Sequence, residues 1–248
     1  TALESVTFEV TAQNGNPSVT TYKWQVSEND GNTWTTVGTG TSYTIDEVTY
    51  SMNGNQYRVL VGNSEYVDGV TSNVATLTVN KIKVDSSNLS VTTTEYNGKE
   101  QTAQVNGFDS SIMEVTNNTM TNAGTQDVIV SLKDKDNYEW ADGKTEDKKV
   151  EWTINKILPE LSASDIEIKV NETKDVTITY NGDGTLSAVA NDTSIATASL
   201  SGNTVTVNGV KAGSTTVTVT ASEGTNHLAK EITINVTVKA GEPILMVE

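Results

Sequence analysis

The chain has 248 residues, 32 acidic and 16 basic side chains, a formal net charge of −16, one histidine and no cysteine. The missing cysteines exclude disulfides, thiolate zinc sites and cysteine nucleophiles together. The acidity disfavours nucleic acid and anionic membrane as partners, because both need lysine and arginine against phosphate, and it keeps a surface protein soluble.

Three alternating apolar runs punctuate the sequence. The first ends in Thr78-Val79-Asn80-Lys81-Ile82, the second in Thr153-Ile154-Asn155-Lys156-Ile157, and the third is Ile232-Thr233-Ile234-Asn235-Val236-Thr237-Val238-Lys239. A period of roughly 75–85 residues predicts an array of small domains: 1–80, 81–157 and 158–240, with 241–248 a tail or the start of another segment. Each of the three is net negative. No run approaches the ~20 apolar residues that cross a bilayer, and no signal-peptide pattern opens at Thr1. Both features fit a piece excised from a longer, processed protein.

In 1–80, Val6, Phe8, Val10 and Ala12 alternate with polar residues, which predicts a half-buried strand broken at Asn14-Gly15-Asn16-Pro17. Tyr22, Trp24 and Val26 form the next. Ser27–Trp34 predicts a hairpin in which Asp30-Gly31 supplies the positive φ. Tyr43 and Ile45 mark a short strand, Tyr57, Val59 and Val61 another, and Ala75, Leu77 and Val79 the last. A Trp on the third strand with a late Asn-Gly-x-x-Tyr-x-Val segment resembles the immunoglobulin pattern. That resemblance makes Trp24 the core tryptophan and Tyr57 the corner tyrosine. It puts Val59, faced by Phe8 or Val10, where a cysteine would stand. The wording Tyr22-Lys23-Trp24-Gln25-Val26-Ser27 resembles the cysteine-free immunoglobulin-like repeats of bacterial surface proteins. The hairpin Ser27-x-Asn29-x-Gly31-x-Thr33-Trp34 also resembles the Asp-box turn of sialidase propellers, with Asn29 where Asp is preferred. A turn with a hydrophobic plug is the expected role. Asn29, Asp30 and Asn32 lack the spacing and the final Glu of an EF-hand calcium loop.

In 81–157, Asn-Gly and Asp-Gly turns separate strand-like alternations. The ordered set Tyr96-Asn97-Gly98, Asn122-Ala123-Gly124, Asn137-Tyr138-x-Trp140-x-Asp142-Gly143 and Trp152-Thr153-Ile154 resembles an MBG-like repeat of Gram-positive surface proteins, which implies a small β-rich module. Tyr96, Tyr138, Trp140 and Trp152 are either a sugar-stacking platform or core, and large aromatics more often fill small cores. Lys144–Lys149 mixes charge signs and predicts a solvated loop.

In 158–240, Pro159 stiffens the junction. Ile166, Ile168 and Val170 alternate, as do Val176, Ile178 and Tyr180 before the turn Asn181-Gly182-Asp183-Gly184. The opening strand with Val170-Asn171-Glu172-Thr173, then Ser194-Ile195-Ala196-Thr197-Ala198, then Gly209-x-x-Ala212-Gly213-x-Thr215-Thr216-Val217-Thr218-Val219 resemble the bacterial immunoglobulin-like group 2 family. Gly213 suits a turn, and the Val/Thr alternation turns methyls inward and hydroxyls outward.

No residues stand out as catalytic, cofactor-binding or metal-binding. His227 is the sole histidine and falls in a predicted loop, and nothing marks the nucleophile and carboxylate a triad needs. One histidine cannot build the usual zinc site, and no phosphate-binding glycine loop occurs. A Lys–Asn isopeptide cross-link is open to a chain without disulfides. The expected architecture is all-β: three tandem small β modules, immunoglobulin-like sandwiches, arranged as an elongated monomeric rod on the order of 100 Å long with semi-rigid joints. The expected role is a non-enzymatic stalk or spacer of a secreted or cell-wall-attached protein. The alternatives are an adhesin for a host glycan or matrix protein, or an accessory array of a polysaccharide-degrading enzyme. No cofactor is implied.

Overall fold

The computed structural model describes residues 1–13, 18–66 and 69–241. The predicted break at Asn14–Pro17 and the tail beyond 241 lie outside them. Among the described residues every regular element is a strand except the 3-10 turn Tyr50–Met52. The fold is all-β and immunoglobulin-like. Two compact units form: Thr1–Ser90 with Asn106–Thr116 and Ile129–Lys149, and Val91–Val105 with Asn117–Val128 and Val150–Glu248. Strand pairings join residues within 1–80, within 81–157 or within 158–240; a single bridge, Ile157 to His227, joins two of these stretches among the described residues.

In the first unit the central strand is Thr21–Ser27. It runs antiparallel to Gln56–Gly62, with Trp24 opposite Val59, and to Thr35–Thr39. Val70–Thr71 and Ala75–Thr76 also pair with Gln56–Gly62. Across from this sheet lie Val6–Glu9 and Ser42–Ile45. Period-two burial on Gln56–Gly62 sends Tyr57 and Val59 inward. The rings of Phe8, Trp24, Tyr43 and Tyr57 meet there: Phe8 stacks on Tyr57 at 4.4 Å, and Trp24 lies 6.2 Å from Phe8 and 6.4 Å from Tyr43. Burial pushes the Tyr57 hydroxyl up from the ordinary tyrosine value, although Asn55 bonds it. The strand expected to reach Ala12 ends at Glu9, its last paired amide being that of Val10 on the Thr41 carbonyl at 3.0 Å. The same unit holds Ile82–Val84 parallel to Tyr138–Trp140, and Met113–Thr116 antiparallel to Ile129–Leu132.

In the second unit Thr94–Glu95 runs parallel to Ile154-Asn155, and Gln101–Thr102 pairs with Thr119–Met120. Beyond Pro159 two sheets face each other. One has the order Ile166–Lys169, Lys230–Lys239, Gly213–Ala221, Leu186–Ala190; the other is Thr173–Thr177, Thr204–Gly209, Ala196–Ser201. Val205, Val207, Val217, Val219, Ile234 and Val236 are fully buried between them, each contributing about 1.5–3 kcal/mol by leaving water.

Three further local expectations are corrected. Val170-Asn171-Glu172 is a turn, not strand: Asn171 takes φ +67°, and the Glu172 carboxylate accepts the Lys169 amide. Gly213 opens a nine-residue strand, packed against Ile195, and is not the turn itself. The mixed-charge run 144–149 is partly strand, since Lys148 starts Lys148–Asn155 and pairs with Asp142 at 2.8 Å. Its Glu146 carbonyl accepts the Trp140 indole N–H at 2.8 Å.

Trp140 and Trp152 are both buried, at 0% and 1% exposure, but only the Trp140 indole has a partner; the Trp152 Nε1 has none. Trp140→Phe should therefore cost about 1–2 kcal/mol more than Trp152→Phe, since it also orphans the Glu146 carbonyl. Urea midpoints of the two variants check this, and equal costs would count against it.

Candidate functional site

The hairpin likened to an Asp-box is closed upon itself. Asp30 and Gly31 take φ +56° and +82°, as a two-residue turn demands. Ser27, almost wholly buried, donates its hydroxyl to Asn29 Oδ1 at 3.0 Å and accepts the Gly31 amide at 2.8 Å. Asn29 Oδ1 also accepts the Thr33 amide, and its Nδ2 donates to the Thr33 hydroxyl. Trp34 donates its indole N–H to the Gly31 carbonyl at 2.9 Å, and the Arg58 guanidinium lies over its ring at 3.9 Å. Asn29 spends its side-chain amide holding the turn, and Asn32 Nδ2 donates to the Asn29 carbonyl at 2.7 Å.

The aromatics of 81–157 do not form a platform of tryptophans, since Trp140 and Trp152 face inward and Tyr96 and Tyr138 are half-buried. His227, expected in a loop, is 8% exposed. Its Nδ1 lies 3.0 Å from Asp183 Oδ1, and Tyr96 meets its ring edge-on at 5.5 Å. Partial desolvation works against ionisation of Asp183, but the Asn226 amide and the His227 ring outweigh it and hold this carboxyl below the ordinary aspartate range. A carboxylate–histidine pair supplies two parts of a triad; no hydroxyl bonds the ring among the described residues. The sequence hides this pair because its members are 44 residues apart.

Part of the acidity is spent in turns. Asp85, Asp109 and Asp192 each accept the amide and hydroxyl of the serine two residues on. These serine bonds hold all three carboxyls below the usual range.

In the first unit an opening of about 560 Å³ is lined by Val10, Ala12, Val19, Val61, Tyr66 and Val70 among others. Tyr66 and Val70 are 67% and 70% exposed. A smaller space of about 310 Å³ adjoins Phe8, Trp24 and Tyr57. No group of three or more His, Asp or Glu side chains is placed to hold a metal among the described residues, and no helix among them is long and apolar enough to cross a membrane.

No protein-family profile matches the chain, so neither the group 2 nor the MBG-like family is matched. No curated protein matches it either. Among solved structures, domains 4 and 5 of the S-layer protein SbsC are 23% identical over 55% of this chain and 82% of that one, with a TM-score of 0.30. The I9–I11 tandem of titin is 13% identical over 97% and 95%, at 0.33. Extracellular domains 3–5 of Drosophila OTK are 12% identical over 96% and 92%, also at 0.33. At these scores the likeness carries no functional meaning.

Proposed function

We propose that this chain is a non-catalytic structural segment of a secreted or cell-surface protein. Three tandem modules, 1–80, 81–157 and 158–240, act as a spacer that presents other domains. One observation carries the reading: Trp24, Trp140 and Trp152, at 4%, 0% and 1% exposure, are spent inside the modules, whereas binding surfaces display large aromatics. The closed hairpin at Asn29 fits the same role.

A second reading has its own support. The opening lined by Val10, Val61, Tyr66 and Val70 is apolar and exposed, and such a patch is where a glycan or matrix protein would dock. The test is binding of the full chain to a panel of immobilised glycans and matrix proteins. No saturable binding is expected. Saturable binding that Tyr66→Ser with Val70→Ser abolishes would overturn the spacer and make the first module an adhesive one.

A further inference from the structure

The phrase Asn-Lys-Ile occurs at 80–82 and 155–157, and both copies make the same bonds. Each compact unit contains one complete set. In the first, the Ile82 amide donates to the Asn137 carbonyl at 2.8 Å. The Lys81 ammonium donates to the carbonyl of Lys135, two residues before that asparagine, at 2.7 Å. The Asn137 side-chain oxygen accepts the Tyr50 amide at 2.9 Å. In the second, Ile157 donates to the Asn226 carbonyl at 3.1 Å. Lys156 donates to the carbonyl of Gly224, again two residues before the asparagine, at 2.8 Å. Asn226 Oδ1 accepts the Ala123 amide at 2.8 Å.

The correspondence extends outward. The residue after each asparagine pairs in parallel with the isoleucine: Tyr138 with Ile82, His227 with Ile157. An aspartate accepts each asparagine's own amide, Asp134 at 3.0 Å and Asp183 at 2.8 Å. Tyr50 and Ala123 lie in equivalent loops, between Ser42–Ile45 and Gln56–Gly62 and between Thr119–Met120 and Gly124–Leu132. Both asparagines are buried, at 8% and 9% exposure. The loops carrying them read Asp134-Lys135-Asp136-Asn137 and Glu223-Gly224-Thr225-Asn226, and only the asparagine is common. A buried amide side chain must satisfy its polar atoms; here the preceding stretch's backbone satisfies the oxygen, while Nδ2 donates to Asp134 in Asn137 and to Asn122 in Asn226.

We infer that Asn-Lys-Ile and the distant asparagine are two halves of one connector, a binding site on each module for a backbone amide of the module before it. It does not depend on whether the chain binds a ligand. The lysine holds the receiving loop and the isoleucine sets its register. The asparagine, as acceptor, selects the loop it meets.

The experiment is residue-resolved amide hydrogen exchange on the full chain. Tyr50 and Ala123 should both be protected. Asn137→Ala should speed exchange at Tyr50 about tenfold, the loss of one buried hydrogen bond, and leave Ala123 unchanged. Asn226→Ala should do the reverse. If Asn137→Ala unfolds its own module, seen as lost protection at Val130, Lys81→Met serves instead, since it keeps the asparagine and should speed Tyr50 by about threefold. Unprotected Tyr50 and Ala123 in the parent would overturn the connector. So would variants that fold and leave the two amides unaltered.

Discussion

Trp24→Ala is expected to cost about 3–5 kcal/mol, the range for truncating a large aromatic inside a core. The side chain is 4% exposed, sits opposite Val59, contacts Phe8 and Tyr43, and donates its indole N–H to the Gly40 carbonyl at 3.0 Å. Truncation removes this contact area and orphans that carbonyl. The void would open onto the space beside Phe8 and Tyr57, whose walls belong to two sheets fixed by their own ladders and cannot collapse inward. In a melt followed by NMR, the Val59 amide should lose its native signal at a temperature where Val217 keeps its own. A variant melting like the parent would show that Trp24 does not organise this core.

Gly209→Val should cost about 3 kcal/mol, the upper end for overpacking. The reason is close approach. A Cβ on Gly209 would stand 2.5 Å from the Lys169 carbonyl oxygen, 3.1 Å from Val238 and 3.2 Å from Ile168. None of these can retreat easily. Gly209 donates its amide to Glu172 at 2.9 Å and accepts that of Asn171 at 2.8 Å, so one sheet is stitched to the turn that leads from the other. Val238 and Ile168 are core residues. The urea midpoint should fall for the 158–240 transition, while the signals of 1–80 keep theirs. An unchanged midpoint would mean that the turn moves aside at no cost.

These cases show what a sequence can and cannot reveal. Trp24, Val59 and Tyr57 are legible because period-two alternation fixes which side chains share a face. The Asp30-Gly31 turn is legible because it needs positive φ at adjacent positions, a local requirement. Gly209 is visible as part of a motif, but the reason for it is a carbonyl 40 residues away. His227 shows the same limit: a loop with glycine and asparagine around it gives no sign that Asp183 and Tyr96 close over the ring. Asn-Lys-Ile is legible as a repeat, yet its partners Asn137 and Asn226 sit in loops that share nothing else. Strand ends are the least legible, because pairing stops where the partner strand does, as at Glu9.

The connectors have a thermodynamic consequence. Each places part of one module's hydrogen bonding in its neighbour's hands, so unfolding a module strips Tyr50 or Ala123 of its acceptor next door. Stability then becomes a sum of intrinsic terms and nearest-neighbour coupling terms, as in a one-dimensional Ising chain. A module cut free at Asn80 or Asn155 would melt below its temperature in the intact chain, and the intact chain would melt over a narrower range than its separated pieces.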